Sequence, residues 1–306
     1  MKFTLLVSGA LALLGIGEVM AAPSPALVKR TARTSTPSGC LTVRVSGTKS
    51  GEYSTMTAAL AALGSGSASA CIFVYSGTYN EAFRIAYNGP LILYGYTADP
   101  MLLPSSVARP RQRQVTSMPL QWPTFRCVTA NGDKQGFYGC GFYGYQDTLY
   151  AKNGKQYYSN CYMEGAVDYI FGNAAAWFGE CTIASNGGGA ITATSREDPA
   201  DASRYVFDHS TVTAASGASV VGKVYLGRPW RVLSRVMFQN SVLTNVVNAK
   251  GWTTMADGAN PIYTEYNNSG AGSDTSSRQF LTASSAAISK ETVWGSDWKT
   301  WVDTSY

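Results

Sequence analysis

Short apolar runs, each bounded by Gly, Ser, Asn or Asp, recur along this chain. Leu41 to Val45 alternates apolar with polar residues, and Cys71-Ile-Phe-Val-Tyr75, Leu91-Ile-Leu-Tyr94 and Val236-Met-Phe238 are compact apolar runs; all four predict strands. One stretch has helical spacing instead. Ser54 can cap it, Met56, Leu60 and Leu63 form an apolar stripe, and Gly64 can stop it. A helix there would cover the open end of a stack of strands, where exposed edges otherwise recruit other chains. The tail Gly295-Ser-Asp-Trp-Lys-Thr-Trp301 is aromatic and is expected to pack back on the body.

The strand-like pieces repeat. Phe137-Tyr-Gly-Cys140, Tyr158-Ser-Asn-Cys161 and Phe178-Gly-Glu-Cys181 align, with cysteines stepping by 21 and then 20 residues. Val206-Phe-Asp-His-Ser210 and Met237-Phe-Gln-Asn-Ser241 continue the pattern after longer insertions. A period this short implies the stacked coils of an all-β solenoid. Residues one period apart then lie above one another at about 4.8 Å. Asp147 and Asp168 are 21 residues apart, so they should project from adjacent rungs of one face.

Residues 97–130 break this pattern. Five prolines fall at Pro100, Pro104, Pro110, Pro119 and Pro123, and Arg109, Arg111 and Arg113 alternate with Pro and Gln. Structureless stretches of this length are uncommon inside compact domains.

The 306 residues are 45% hydrophobic and only 14% charged, and 31 glycines favour turns over long helices. Lys2, the apolar run Leu5 to Ile16 and Val19-Met20-Ala21 read as a signal peptide over residues 1–21. Residues 22–30 read as a propeptide ending at the dibasic Lys29-Arg30, leaving 31–306 as one domain. The chain is therefore expected to be secreted, with no membrane span. Removing residues 1–30 takes away Lys2, Lys29, Arg30 and Glu18, so the net charge falls from +5 to +3. That balance suits an acidic polymer and is too weak for nucleic acid.

Six cysteines in an exported chain suggest disulfides. Cys140 with Cys161 and Cys161 with Cys181 are equally open as bridges between rungs. No CxxC pair and a single histidine, His209, argue against zinc. His209 falls within the repeat and is expected to be an ordinary strand residue. Asn267-Asn-Ser269 is a glycosylation sequon, expected on a loop. No Gly-x-Ser-x-Gly elbow occurs, so a serine triad is not expected.

Four segments carry a family resemblance: Gly77-Thr-Tyr-Asn-Glu81, Gln146-Asp-Thr-Leu149, Gly165-Ala-Val-Asp-Tyr-Ile-Phe-Gly172 and Leu226-Gly-Arg-Pro-Trp230. They resemble the signature blocks of pectin methylesterases, and from Gly132 onward their order and spacing fit as well; the leader and dibasic site resemble fungal members, while the interval from Glu81 to Gln146 is shorter than in relatives by some tens of residues. The resemblance covers Gly39 to about Tyr96 and Gly132 to Tyr306. It implies a right-handed parallel β-helix, no cofactor and no metal, and a monomer that removes methyl esters from pectin to give methanol and pectate. By resemblance, Asp168 is the nucleophile, Asp147 the acid/base, Gln146 an oxyanion donor and Arg228 the cation that orients Asp168. Trp230, Trp252 and Tyr150 would line the sugar groove. Gly77-Thr-Tyr-Asn-Glu81 is expected to be structural.

The chemistry is consistent with these types. Two carboxylates about 5 Å apart repel by about 3 kcal/mol at an effective dielectric near 20, roughly two pK units, so they should not titrate alike. A guanidinium beside one holds it ionised while the other keeps its proton. The alternatives are a pectin glycosidase on the same fold, which would use a similar carboxylate pair, and a non-catalytic pectin-binding solenoid with tryptophan platforms. The polygalacturonase segments Gly-His-Gly and Arg-Ile-Lys are missing, and there is no acidic calcium loop of the kind a lyase uses.

The chain also departs from the family. Members carry a first oxyanion glutamine about one coil before Gln146, which lands here near Thr124 and Phe125; Gln121 is the nearest glutamine. Residues 97–130 therefore read as a misassigned exon boundary or a shifted frame. If the segment is genuine, one or more coils should be missing beneath the site.

Overall fold

The computed structural model describes residues 32–98 and 123–305. The leader over 1–21, the dibasic pair Lys29-Arg30, Gln121 and most of the proline-rich segment lie outside those residues. Among the described residues no helix is long and apolar enough to cross a membrane.

The strands form three parallel sheets of nine, seven and six strands. Each rung of the chain gives one strand to each sheet in turn. Gln135–Tyr138, Gly141–Tyr143 and Leu149–Asn153 make one rung; Lys155–Ser159, Tyr162–Gly165 and Ile170–Gly172 make the next. Every ladder between strands is parallel, so the chain coils as a parallel β-helix.

The repeat is legible in the packing. Phe137, Tyr158, Phe178, Phe207 and Phe238 pair rung to rung and stack face to face, with ring centroids 4.7, 4.7, 4.5 and 4.3 Å apart. The strand spacing of roughly 4.8 Å is close to a stacking distance, so the ladder satisfies backbone and rings together. Where successive rungs leave this sheet the chain turns a corner through a left-handed residue: Asn160, Glu180, His209, Asn240 and Asn267 all have φ between 50° and 54°. Asn tolerates this conformation best after Gly. His209 is thus a corner residue and not a strand residue; its Nδ1 lies 3.0 Å from Asp208 Oδ1. The sequon residue Asn267 is exposed at the same corner.

Cys140, Cys161 and Cys181 follow that corner inward and are buried and free. Neither inter-rung bridge forms. Their thiols hydrogen-bond to backbone carbonyls, Cys161 to Phe137 O at 3.4 Å and Cys181 to Tyr158 O at 3.4 Å. Ser210 and Ser241 continue the column, and Ser210 Oγ accepts from Cys181 N at 3.0 Å. The disulfide that does form, Cys40–Cys71, ties the first strand region to the second.

The helix spans Met56–Leu63, and its cap is Thr55 rather than Ser54, because Thr55 Oγ1 accepts from Ala58 N at 3.1 Å. Glu81 reinforces the same end. Its carboxylate accepts from Met56 N at 2.6 Å and Thr57 N at 3.0 Å, so that block is structural.

Pro123–Phe125 and Val128–Asn131 complete the rung begun by Leu91–Gly95, and pair with the rungs on both sides. Phe125 and Val128 are buried, so apolar alternation resumes at Pro123.

Candidate active site

The corner between the seven- and six-stranded sheets positions the two aspartates. Gln146 bridges Val167, and Leu149 pairs with Ile170, so Asp147 lies above Asp168 on consecutive rungs. Both adopt positive φ, 58° and 50°. The turn is held by close approach: a Cβ on Gly144 would meet Thr148 Oγ1 at 2.4 Å, and one on Gly165 would meet Tyr169 Cβ at 2.2 Å. The two glycines occupy the same place one rung apart.

The aspartates meet different surroundings. Asp168 is 6% exposed, and Arg228 grips both its oxygens, Nε to Oδ1 at 2.8 Å and Nη2 to Oδ2 at 2.7 Å. Arg228 reaches it from two rungs along, since Phe171 pairs with Ala193 and Ala193 with Arg228. The bond to Asp168 raises the guanidinium above its usual value. Asp147 is exposed and makes no such pair. Partial burial pushes its carboxyl up, the Asp168 charge adds to this, and Arg228 opposes it. Gln146, also exposed, stands next to Asp147 on the same turn.

An aromatic wall follows along the six-stranded sheet. Tyr150 stacks on Phe171 with centroids 4.4 Å apart, and Trp230 leans on both at 6.4 and 6.0 Å. Phe171 escaped sequence reasoning, although it lies 21 residues after Tyr150, the interval that separates the aspartates. Trp252 does not belong to the wall. It is fully buried, stacked on Tyr263 at 4.1 Å with Nε1 donating to Glu265, so it faces the core and no groove. Among the described residues of the rung below Asp147, Phe125 is in the core and Thr124 sits on its strand, so neither position supplies an amide. Gln135 and Gln156 pair on neighbouring rungs and are buried inside the coil.

Among the described residues no group of His, Cys, Asp and Glu side chains could hold a metal ion. A groove of about 380 Å³ beside the helix, lined by Leu60, Phe83 and Tyr87 among others, contains none of the residues above.

Fold and relatives together define a parallel β-helix ester hydrolase. The family model for pectinesterase matches residues 125–298, and the chain belongs to the pectinesterase family. Probable pectinesterase A of Aspergillus niger is 52% identical over 325 residues, covering 97% of this chain and 98% of the relative. Pectinesterase A of Emericella nidulans is 50% identical, covering 95% and 96%. The crystal structure of the pectin methylesterase from Aspergillus niger in deglycosylated form matches with a TM-score of 0.75 at 49% identity, over 90% of this chain and all of that one. Pectin methylesterase from carrot matches with a TM-score of 0.62 at 28% identity, over 83% and 91%.

Proposed function

We propose that this chain, exported through its leader and acting as a monomer, hydrolyses the methyl esters of pectin. The observation that carries the mechanism is the division of labour within the pair. Arg228 clamps Asp168, while Asp147, one rung away, is pushed toward its protonated form. One fixed anion beside one available proton is what an ester hydrolase that uses neither a serine nor a histidine in catalysis needs.

Ionised Asp168 attacks the ester carbonyl carbon. The carbonyl electron pair moves to oxygen, and the Gln146 amide donates to the resulting oxyanion. As the intermediate collapses, the bond to the methoxy group breaks and Asp147 passes its proton to the departing oxygen, releasing methanol. Asp168 is now joined to the substrate as an acyl anhydride. Asp147, now a base, takes a proton from water, the hydroxyl adds to the acyl carbon, and Asp168 leaves as carboxylate. Tyr150, Phe171 and Trp230 give the sugar rings a flat apolar wall.

The test is D168N, which keeps the shape and removes the nucleophile. Methanol release from methylated pectin should fall by ~10⁴-fold or more, with the thermal melt still cooperative. A D168N protein that still releases methanol at the wild-type rate overturns the assignment.

A further inference from the structure

A second cluster of charge lies at the corner between the six- and nine-stranded sheets. Arg204 and Arg235 open the strands Arg204–Asp208 and Arg235–Gln239, whose register pairs Tyr205 with Val236. The arginines are therefore neighbours on consecutive rungs, about 4.8 Å apart along the axis. Tyr205 and Val236 are in the core, so alternation sends both arginines to the outer face. Each is half-buried, and the Nε of each is sealed from solvent without a hydrogen-bond partner. Among the described residues neither guanidinium forms an ion pair.

The neighbours do not neutralise them. Arg196 adds a third positive charge and spends its own donors on the carbonyls of Asp201, Leu233 and Pro199. Asp201, the carboxylate whose charge reaches Arg235, accepts from Ser203 N and Asn173 Nδ2 instead. Burial and the charges of Arg204 and Arg196 push Arg235 down to about 10. Burial, then Arg196, lowers Arg204. Partly dry charges without a counterion are costly, and a structural ion network would supply one. The corner is built for an anion that the described chain does not provide.

Its position suggests which anion. The strand carrying Arg228 ends at Pro229, Trp230 joins the aromatic wall, and the turn that follows is pinned by Arg231 N on Thr194 O at 3.2 Å and Arg235 N on Thr194 Oγ1 at 3.3 Å. The turn that carries Trp230 therefore leads directly into the strand that Arg235 opens, which sets the arginine corner next to the end of the wall. Each turnover leaves a carboxylate on that polymer, and guanidinium groups match carboxylates through paired hydrogen bonds.

We propose that Arg204 and Arg235 form an anion subsite for free uronate carboxylates of the pectin chain, separate from the reacting centre. The subsite rests on the pectin reading of the dyad and adds a preference for substrate that is already partly de-esterified.

The probe is unesterified oligogalacturonate, which is not hydrolysed, titrated calorimetrically into wild type and into R204Q/R235Q. Affinity should fall about 10-fold or more in the double variant. The ratio of kcat/KM on half-esterified to fully esterified pectin should fall with it. Unchanged oligogalacturonate affinity overturns the proposal, as does binding of inorganic sulfate with equal affinity at the same two residues. If the glutamine pair does not fold, R204K/R235K keeps the charge and loses the fork, and is expected to bind several-fold more weakly; wild-type affinity there also overturns it. Failure of the esterase reading shows separately, as wild type releasing no methanol from fully esterified pectin, while the calorimetry still decides the arginine pair.

Discussion

Asp147 and Asp168 share one backbone conformation, yet one is gripped by a guanidinium and the other is open to solvent. That difference makes Asp147 the residue whose proton experiment can follow. A proton held more tightly in the folded chain stabilises the fold below the ordinary carboxylate range, and that contribution is lost as pH rises through the raised value. D147N carries no such charge. It should therefore melt at higher temperature than wild type at neutral pH, with the gap closing below pH ~4. Its methanol release should fall by roughly 10²–10⁴-fold and lose the alkaline limb that marks deprotonation of the acid. A D147N melt below wild type at neutral pH would contradict the environment described for Asp147. The dyad and Arg228 were legible in the sequence, the first by the 21-residue interval and the second by resemblance. Trp252 was misread because sequence does not say which side of a coil a tryptophan faces.

The elements show the same mixture. The helix was readable from its stripe and from Gly64, but its strongest N-terminal partner is remote. Glu81 lies 25 residues beyond Met56 and caps two backbone donors as well as the Thr57 hydroxyl. E81Q removes a charge from a helix N-terminus and weakens those bonds. It should lower stability by about 1–2 kcal/mol, read as a lower denaturant midpoint with an unchanged slope. The cysteine repeat was visible, but its meaning was not. A step of 20 or 21 residues places Cys140, Cys161 and Cys181 in one column, and a column can carry either bridges or buried thiols. The serines that continue it, Ser210 and Ser241, fit the second reading, since they fill the same polar slot beside the corner.

At the scale of the whole molecule, the coil needs its outer face covered as well as its inside filled. Phe73, Tyr138, Tyr157, Trp177 and Val206 form an apolar strip outside the nine-stranded sheet, and Val293, Trp294, Trp301 and Val302 lie on it. Trp294 is 2% exposed and donates from Nε1 to Ala175 O at 2.8 Å. The described residues near positions 33 and 303 meet there too, with Arg33 3.3 Å from Asp303 and Tyr138 accepting from Asp303 N. W294A should cost about 3–5 kcal/mol, measured by urea unfolding. Methanol release per folded molecule should be unchanged, since the tail covers a different sheet from the one that carries the aromatic wall. A loss below ~1 kcal/mol would mean the tail is ornamental.

The pattern along the chain was enough to set the period, and with it the all-β coil and the stacking of the two aspartates. These are local consequences: parallel strands have one spacing, so a fixed interval along the chain becomes a fixed height in the stack. Long-range packing alone settled which cysteines pair, that Pro123 to Asn131 rejoins the coil, that Trp252 is core, and that Arg204 and Arg235 have no counterion among the described residues. Each of these depends on which distant side chains crowd or neutralise a position, and no interval read along the chain contains that information.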